Sequence, residues 1–386
     1  MNIFDSWPNK IVFGKKSAEK LSKEIEYFNV NKLLIFTDKV IEQLPFCKDI
    51  FSNLKNHNYK FEVYNDVRQN PSDEDIVHGV AGINAYQPEL LIAVGGGSVI
   101  DFCKAVNIVY THGGVIQDYE MSSGGIERIK PILLPVIAIP TTAGTSSEVS
   151  LATVITDTQR RWKMAIVSPH IIPDVAILDP YLTVTMPKKI TADTGMDALC
   201  HCIEAYLSSV NFPPACAQAL YGIRLINKNI RNAYFYPEDI EAREKMLIAS
   251  SMAGLAVAHN ILGLVHAMSQ QVTTFHGLSH GLANAILLPY VMEFNLPAVE
   301  DKMIDLAWAL GNNTDILSKR QAAQIAIESV KMIGNDLGIP EKLSDAGVTD
   351  QNINYMVENA IKSPEIWTNP REASSIEILK IYKKAF

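Results

Sequence analysis

Four side chains in the second half of the sequence have the types needed to hold a metal ion. Asp197 and His201 stand four positions apart in TGMDALCHCIEAY (194–206), a helical pattern that puts both on one face. His266 lies in LGLVHAM (262–268) and His280 in LSHGLANA (278–285). One carboxylate and three imidazoles form a mixed oxygen and nitrogen set suited to Fe²⁺ or Zn²⁺. With the imidazoles neutral, a divalent ion there keeps a net charge of about plus one, which stabilises an alkoxide. Taken singly, each histidine reads as an ordinary core residue, and the i, i+4 pair adds only modestly. The surrounding motifs carry the rest.

A second chemistry is suggested by Gly95-Gly96-Gly97-Ser98, placed between an apolar strand and a helical pattern. Glycines let the backbone approach a ligand closely, and the helix start offers unpaired N–H groups to a pyrophosphate. The same residues would also make a tight turn with no ligand, and they do not spell the GxGxxG fingerprint of an ordinary Rossmann domain. Asp38, at a strand end, is suited to accept hydrogen bonds from a ribose and to repel a 2′-phosphate; in isolation it reads equally as a turn residue. The polar run Thr141–Glu148, TTAGTSSE, follows another buried strand. It reads as a cofactor loop or as a cluster of helix caps.

The elements that must position these residues alternate. LLIF (33–36), FEVY (61–64), LLIAV (90–94) and PVIAIP (135–140) are strand-like, and helical patterns separate them, with Ser72 set as the N-cap of one. This order implies a parallel, doubly wound sheet. A strand-rich patch follows at 153–156, 164–167 and 175–178. Past Pro187 long helical patterns dominate. The reading is therefore an α/β domain over 1–185 and an all-α domain over 186–386.

Composition limits the classes of function. Apolar residues make up 48% of the 386 positions and charged residues 20%, enough for large cores under a wet surface. The net charge of -8 gives no basic footprint for nucleic acid. No run is apolar for long enough to span a bilayer and the N-terminus lacks a signal pattern, so the expected location is cytoplasmic, with no membrane partner. Cys47, Cys103, Cys200, Cys202 and Cys216 include no CxxC pair and read as buried thiols.

With these residues assembled, the chain resembles the group III, iron-type alcohol dehydrogenases over essentially its whole length. The resemblance rests on TD (37–38), NPS (70–72), GGGSVID (95–101), PTTAGTSSEVS (140–150), VITD (154–157), TGMDALCHCIEAY, LGLVHAM, HGLANAILLPYVMEFN (280–295) and NPR (369–371), all in the same order. It implies an α/β N-terminal dinucleotide-binding domain and an all-α C-terminal domain, the fold shared with dehydroquinate synthase. It implies NAD and Fe²⁺, with Zn²⁺ as the second choice, a small alcohol or aldehyde substrate, and self-association. Asp197, His201, His266 and His280 correspond to the family's metal ligands. The implied cofactor-binding set is Asp38, Asn70, Gly95, Gly96, Gly97, Ser98, Asp101, Thr141, Thr142 and Lys163. The implied chemistry is metal-assisted ionisation of the alcohol and hydride transfer to nicotinamide.

The chain departs from the family at Gln270. Members often carry a second histidine one helical turn after the third ligand, and glutamine cannot relay a proton. The candidate catalytic residues are accordingly His280, Gln270 and His276, the last being four positions before His280; its other reading is a structural turn residue. The resemblance also puts Glu365 near a pocket-lining position, where a carboxylate suits a polyol or amine-bearing substrate; its other reading is a solvated surface acid. The rival functions are a dehydroquinate-synthase-like lyase and a catalytically silent scaffold of the same fold. The first needs basic residues for its phosphorylated substrate, and between Leu255 and Pro289 there is neither Lys nor Arg.

Overall fold

The computed structural model describes residues 9–315 and 317–386. The chain divides into two compact units. Of the described residues, one holds 9–142 together with Ser146–Thr185, and the other holds Ala143–Thr145 with Met186–Phe386.

The first unit is built on strands β1 (Lys10–Phe13), β2 (Lys32–Phe36), β3 (Lys60–Tyr64), β4 (Leu90–Gly95), β5 (Val136–Pro140) and β8 (Val175–Leu178). They form one sheet in the order β1-β8-β5-β4-β2-β3, with every pairing parallel. The central strands are buried on both faces, which is why their sequences are continuous apolar runs rather than alternating ones. Successive residues still serve opposite faces. Leu33, Ile35, Ile92 and Val94 pack with α1 (Leu21–Glu26) and α2 (Pro45–Asn56), while Leu34, Phe36, Leu91 and Ala93 pack with α3 (Asp73–Tyr86) and α4 (Gly97–His112). Ser72 caps α3 in a reciprocal box with Asp75.

The strand-rich patch divides. β6 (Ala152–Asp157) and β7 (Trp162–Val167) form a separate antiparallel hairpin, and only β8 joins the main sheet. Burial alternates along β6, as expected of a strand with one covered face, whereas all of β8 is buried. β1 is an edge strand beside β8 and was not among the expected strands; its four residues, KIVF, are too few to show a period.

The second unit contains α5 (Lys188–Leu207), α6 (Pro213–Phe235), α7 (Ile240–Asn260), α8 (Leu264–His276), α9 (His280–Asn295), α10 (Glu300–Ala309), α11 (Lys319–Asp336), α12 (Ile353–Ala360) and α13 (Ser375–Ala385). Every residue of α5 from Gly195 to Leu207 is buried, so the helix is enclosed by its neighbours on all sides. Between α7 and α8 the chain bends by 110°. Ile261 makes that bend at φ 61°, a conformation costly for a β-branched residue. No single helix among the described residues is long and apolar enough to cross a membrane.

Of the five cysteines, Cys47, Cys103, Cys200 and Cys202 are buried. Cys216 is only half-buried, contrary to expectation, because it sits in the first turn of α6, where its Sγ contacts Asn211 and Asn260.

Candidate metal centre and nucleotide loop

The metal-type residues converge within the helical unit. Asp197 and His201 project from one face of α5, His266 lies in the first turn of α8, and His280 opens α9. The Nε2 atoms of His201, His266 and His280 lie 3.8, 4.0 and 3.9 Å from Asp197 Oδ1. Asp197, His201 and His266 form a buried triple whose ligand atoms lie within 4.8 Å of one another. The side chains of Asp197 and His266 are almost wholly enclosed, whereas that of His280 is 34% exposed. The cluster is thus closed on one side and open at His280, the form of a site that leaves room for an incoming ligand.

Each imidazole must turn the correct nitrogen inward, and the surroundings arrange this for two of them. His201 Nδ1 meets the carbonyl of Gly144 at 3.2 Å. His266 Nδ1 is hydrogen-bonded to the carboxylate of Glu204. Such outer partners fix ring orientation and tautomer, leaving Nε2 for a metal. A second possible triple, Cys200, Glu204 and His266, uses the opposite nitrogen of His266. It is the poorer ligand set, because Glu204 already occupies that nitrogen and burial raises the Cys200 thiol well above its ordinary pKa.

Glu204 also organises the backbone. Helix α8 begins after Gly263, whose missing side chain leaves its first amides uncapped. Glu204 Oε1 accepts from Val265 N at 2.7 Å, and Asn369 Oδ1 accepts from Leu264 N at 3.2 Å. Orphan donors of the first turn are satisfied from outside the helix, and a carboxylate sits at its positive end. A Cβ at Gly263 would lie 2.9 Å from Glu204 Oε1, so glycine is required by close approach. Asn369 is itself held by paired amide contacts to Asn295 at 2.8 and 3.0 Å.

The electrostatics follow from burial and these partners. Burial opposes ionisation of Asp197, but His201, His280, His266 and the Asn284 amide outweigh it and hold the carboxyl below its usual range. Burial dominates at His201 and lowers its pKa, while Asp197 opposes the shift. Burial also acts to lower the pKa of His266, but Glu204 reverses the sign and raises it. Asn284 Nδ2 donates to Asp197 Oδ1 at 2.7 Å and lies 3.1 and 3.2 Å from the Nε2 atoms of His266 and His280. Its Oδ1 is buried without a partner. Three inward imidazole nitrogens and one ionised carboxylate oxygen fit a divalent cation of the Fe²⁺ or Zn²⁺ type.

Neither Glu204 nor Asn284 was among the expected site residues, although both were within reach. Glu204 is seven positions after Asp197 on the same helix face, and Asn284 is four after His280. The contribution of Gly144 had no sequence signal, since any residue carries a carbonyl.

The remaining candidates have distinct settings. Gln270 donates from Nε2 to Glu365 Oε1 at 3.0 Å. His276 closes α8 before the left-handed Gly277; its ring meets the backbone of Gln351, its Nε2 is buried without a partner, and burial lowers its pKa.

In the α/β unit, Gly95 ends β4, Gly96 is the N-cap of α4, and Gly97 and Ser98 begin that helix. Ser98 Oγ accepts from Asn70 N at 3.2 Å, and Lys163 Nζ donates to Asn70 Oδ1 at 2.8 Å. Burial pushes Lys163 down to about 8, against the opposing charge of Asp101. Ser98, Asn70 and Lys163, far apart in sequence, are therefore joined. Thr141 N bonds to Gly95 O at 3.0 Å, which fixes the start of the polar loop beside the glycines. No helix follows that loop, so its hydroxyls are not helix caps. Asp101 Oδ2 accepts from Val154 N at 3.0 Å, tying α4 to β6. Asp38 Oδ1 accepts from Val40 N and Ile41 N, both at 2.8 Å, and so organises its own turn.

Two family profiles cover almost the entire chain. One, described as "Iron-containing alcohol dehydrogenase", matches residues 8–180, and one described as "Fe-containing alcohol dehydrogenase family, C-terminal" matches residues 191–386. The chain belongs to the iron-containing alcohol dehydrogenase family. Among its relatives in that family, the 1,3-propanediol dehydrogenase of Citrobacter freundii is 37% identical over 381 residues, covering 98% of this chain and 97% of the relative. Lactaldehyde reductase of Escherichia coli (strain K12) is 33% identical over 374 residues, covering 97% of each. The crystal structure of a 1,3-propanediol oxidoreductase superposes with a TM-score of 0.96 at 37% identity over 100% of both chains. The fold is thus that of the iron-containing alcohol dehydrogenases, and the chain is an oxidoreductase of that family.

Proposed function

We propose that this protein interconverts a short alcohol and its aldehyde with NAD(H), using Fe²⁺, or Zn²⁺ as the alternative, at Asp197, His201, His266 and His280. The observation that carries this reading is the convergence of three Nε2 atoms on Asp197 Oδ1, with two of the rings tethered through Nδ1. When bound, the cation polarises a substrate oxygen and NAD(H) carries the hydride. The chain supplies position and charge. Asp197 provides the single anionic donor, Glu204 and Gly144 hold the rings, and the open flank at His280 admits substrate. Residues 1–185 bind the dinucleotide and residues 186–386 the cation. Gly95, Gly96, Gly97 and Ser98 offer amides to the pyrophosphate, Asn70, Thr141, Thr142 and Lys163 flank them, and Asp38 selects against a 2′-phosphate.

The absence of Lys and Arg between Leu255 and Pro289 favours this over a lyase acting on a phosphorylated substrate. The proposal includes a cytoplasmic homo-oligomer. Exposed Tyr221, Phe235, Tyr236 and Trp308 on the helical unit support self-association.

The test is anaerobic reconstitution with Fe²⁺ and, separately, Zn²⁺, followed by NADH consumption across short aldehydes with NADPH as the control. NADH-linked reduction is expected, with strong loss in His280→Ala. Preference for NADPH would overturn the role of Asp38. No turnover of any aldehyde by fully loaded enzyme would overturn the function.

A further inference from the structure

The bend between α7 and α8 stands five residues before His266 and is strained at one point. Ile261 has φ 61° and ψ -173°, a region that glycine alone enters without strain. Its side chain is 43% exposed, so burial does little to offset that cost. Such a conformation persists only where the flanking chain is over-determined. Here the chain is tied on both sides. Before the bend, Asn260 is wholly buried; its Nδ2 donates to Ala205 O and its Oδ1 accepts from Phe212 N, both at 2.8 Å. After the bend, Thr368 Oγ1 donates to Leu262 O at 2.5 Å, and Asn369 Oδ1 accepts from Leu264 N at 3.2 Å. The two clasping residues are anchored in turn. Thr368 O accepts from Ser209 N at 3.0 Å, and the Asn369 amide is paired with that of Asn295. A cavity lined by Leu207, Gly263, Val265, Met292 and Thr368 adjoins the bend, so the chain has room to move if these bonds are lost.

We propose that Thr368 and Asn369 are positioning residues for the metal centre: they hold the strained bend at Ile261 closed and so keep His266 Nε2 turned toward Asp197. They act through main-chain atoms of Leu262 and Leu264, not as ligands. Without them Ile261 relaxes toward negative φ, and the rotation passes to α8, whose first turn carries His266. Cation binding must then restore the strained form, and affinity falls by the cost of doing so. This rests on the cation site proposed above and extends it to residues outside the donor set and its ring tethers. The alternative is a clasp that only stabilises the fold. The two differ in one respect. A clasp that opposes strain is coupled to Ile261, so relieving the strain with Ile261→Gly restores what loss of the clasp removed. A bond that is stabilising and nothing more shows no such rescue.

The experiment measures Zn²⁺ affinity of the loaded full-length protein by chelator competition, together with the thermal midpoint of the same samples. Thr368→Val removes the hydroxyl at nearly constant shape, Thr368→Ser keeps it, and Ile261→Gly removes the strain. Thr368→Val is expected to bind Zn²⁺ about tenfold more weakly, the equilibrium equivalent of the strain in one such residue. Thr368→Ser and the double variant carrying both Thr368→Val and Ile261→Gly stay within about twofold of wild type, the usual error of additivity. Ile261→Gly alone keeps wild-type affinity and raises the thermal midpoint, because the strain relieved exceeds the freedom that glycine adds to the unfolded chain. Wild-type affinity in Thr368→Val, weak binding by Thr368→Ser, or a double variant as weak as Thr368→Val would each overturn the proposal and leave the cation site standing. No Zn²⁺ binding by wild type would overturn both. If Thr368→Val does not fold, Ile261→Gly alone decides: a lower midpoint or weaker Zn²⁺ binding overturns the proposal.

Discussion

Two buried groups of acids in this chain are treated in opposite ways. In the α/β unit, Glu120 and Asp157 are closed off around Arg160, whose guanidinium reaches them at 2.8 and 2.7 Å, and Trp162 Nε1 adds a bond to Glu120 at 2.8 Å. One guanidinium bridges the two carboxylates, and the result ties the β6–β7 hairpin to the segment before β5. In the helical unit, Asp197, Glu204 and Glu365 are answered by imidazoles, amides and a hydroxyl, with no Lys or Arg among their hydrogen-bond partners. The first group holds a cation of its own in direct contact with both acids. The second carries negative charge that its neighbours only partly offset, and such a deficit suits binding a cation rather than rigidity.

Three substitutions test this contrast, from the largest effect to the smallest. Asp197→Asn removes the only carboxylate among the candidate ligands. Metal affinity is expected to fall by more than about 100-fold, beyond the range of outer-shell changes, and elemental analysis after dialysis should find no metal. Full occupancy in that variant would break the comparison.

Glu204→Gln keeps a hydrogen bond to His266 but removes its charge, and about 10–100-fold weaker metal binding is expected. It also changes the pH response. Glu204 raises His266, so wild-type metal uptake must displace a proton and weakens as pH falls through that raised value. In the variant the weakening moves to lower pH. Zn²⁺ titrations at several pH values give the answer, and an unshifted profile would show that Glu204 does not govern His266.

Arg160→Met leaves Glu120 and Asp157 without their cation. Because the Arg160 side chain is 48% exposed, solvent screens the loss. A destabilisation of about 1 kcal/mol at neutral pH is expected. Burial opposes ionisation of Asp157, but Arg160 prevails and holds its pKa low. A depressed carboxyl contributes stability above its unfolded pKa and loses it as pH falls through the folded value. The gap between wild type and variant should therefore narrow in acid, as urea unfolding at pH 7 and about pH 3.5 would report. A constant gap would mean that Arg160 acts by packing alone.

Much of this was legible from sequence because the signals were periodic. Continuous apolar runs marked the strands buried on both faces, and Ser72 announced α3. The i, i+4 pair Asp197 and His201 marked a shared face, and the same rule extended to Glu204 and Asn284 would have found the outer partners. Other features lacked a local signature. β1 is too short to show a period. β6 and β7 leave the main sheet through pairing that alternation alone does not specify. Cys216 is set by its place in the first turn of α6, not by its type. Gln270 and Glu365 are 95 positions apart, so their pairing required the fold.

The carbonyl of Gly144 on His201 has an unusual genetic consequence. A main-chain oxygen survives every codon change, so substitution scanning would leave this restraint standing and assign it no importance. A side chain added at Gly144 would collide with Thr194, 2.4 Å from its backbone oxygen, and the damage would be misattributed to crowding. The atom is reached instead by altering the path of the chain, through an insertion or deletion in the 143–145 segment. That makes the length of the segment, more than its spelling, the heritable property.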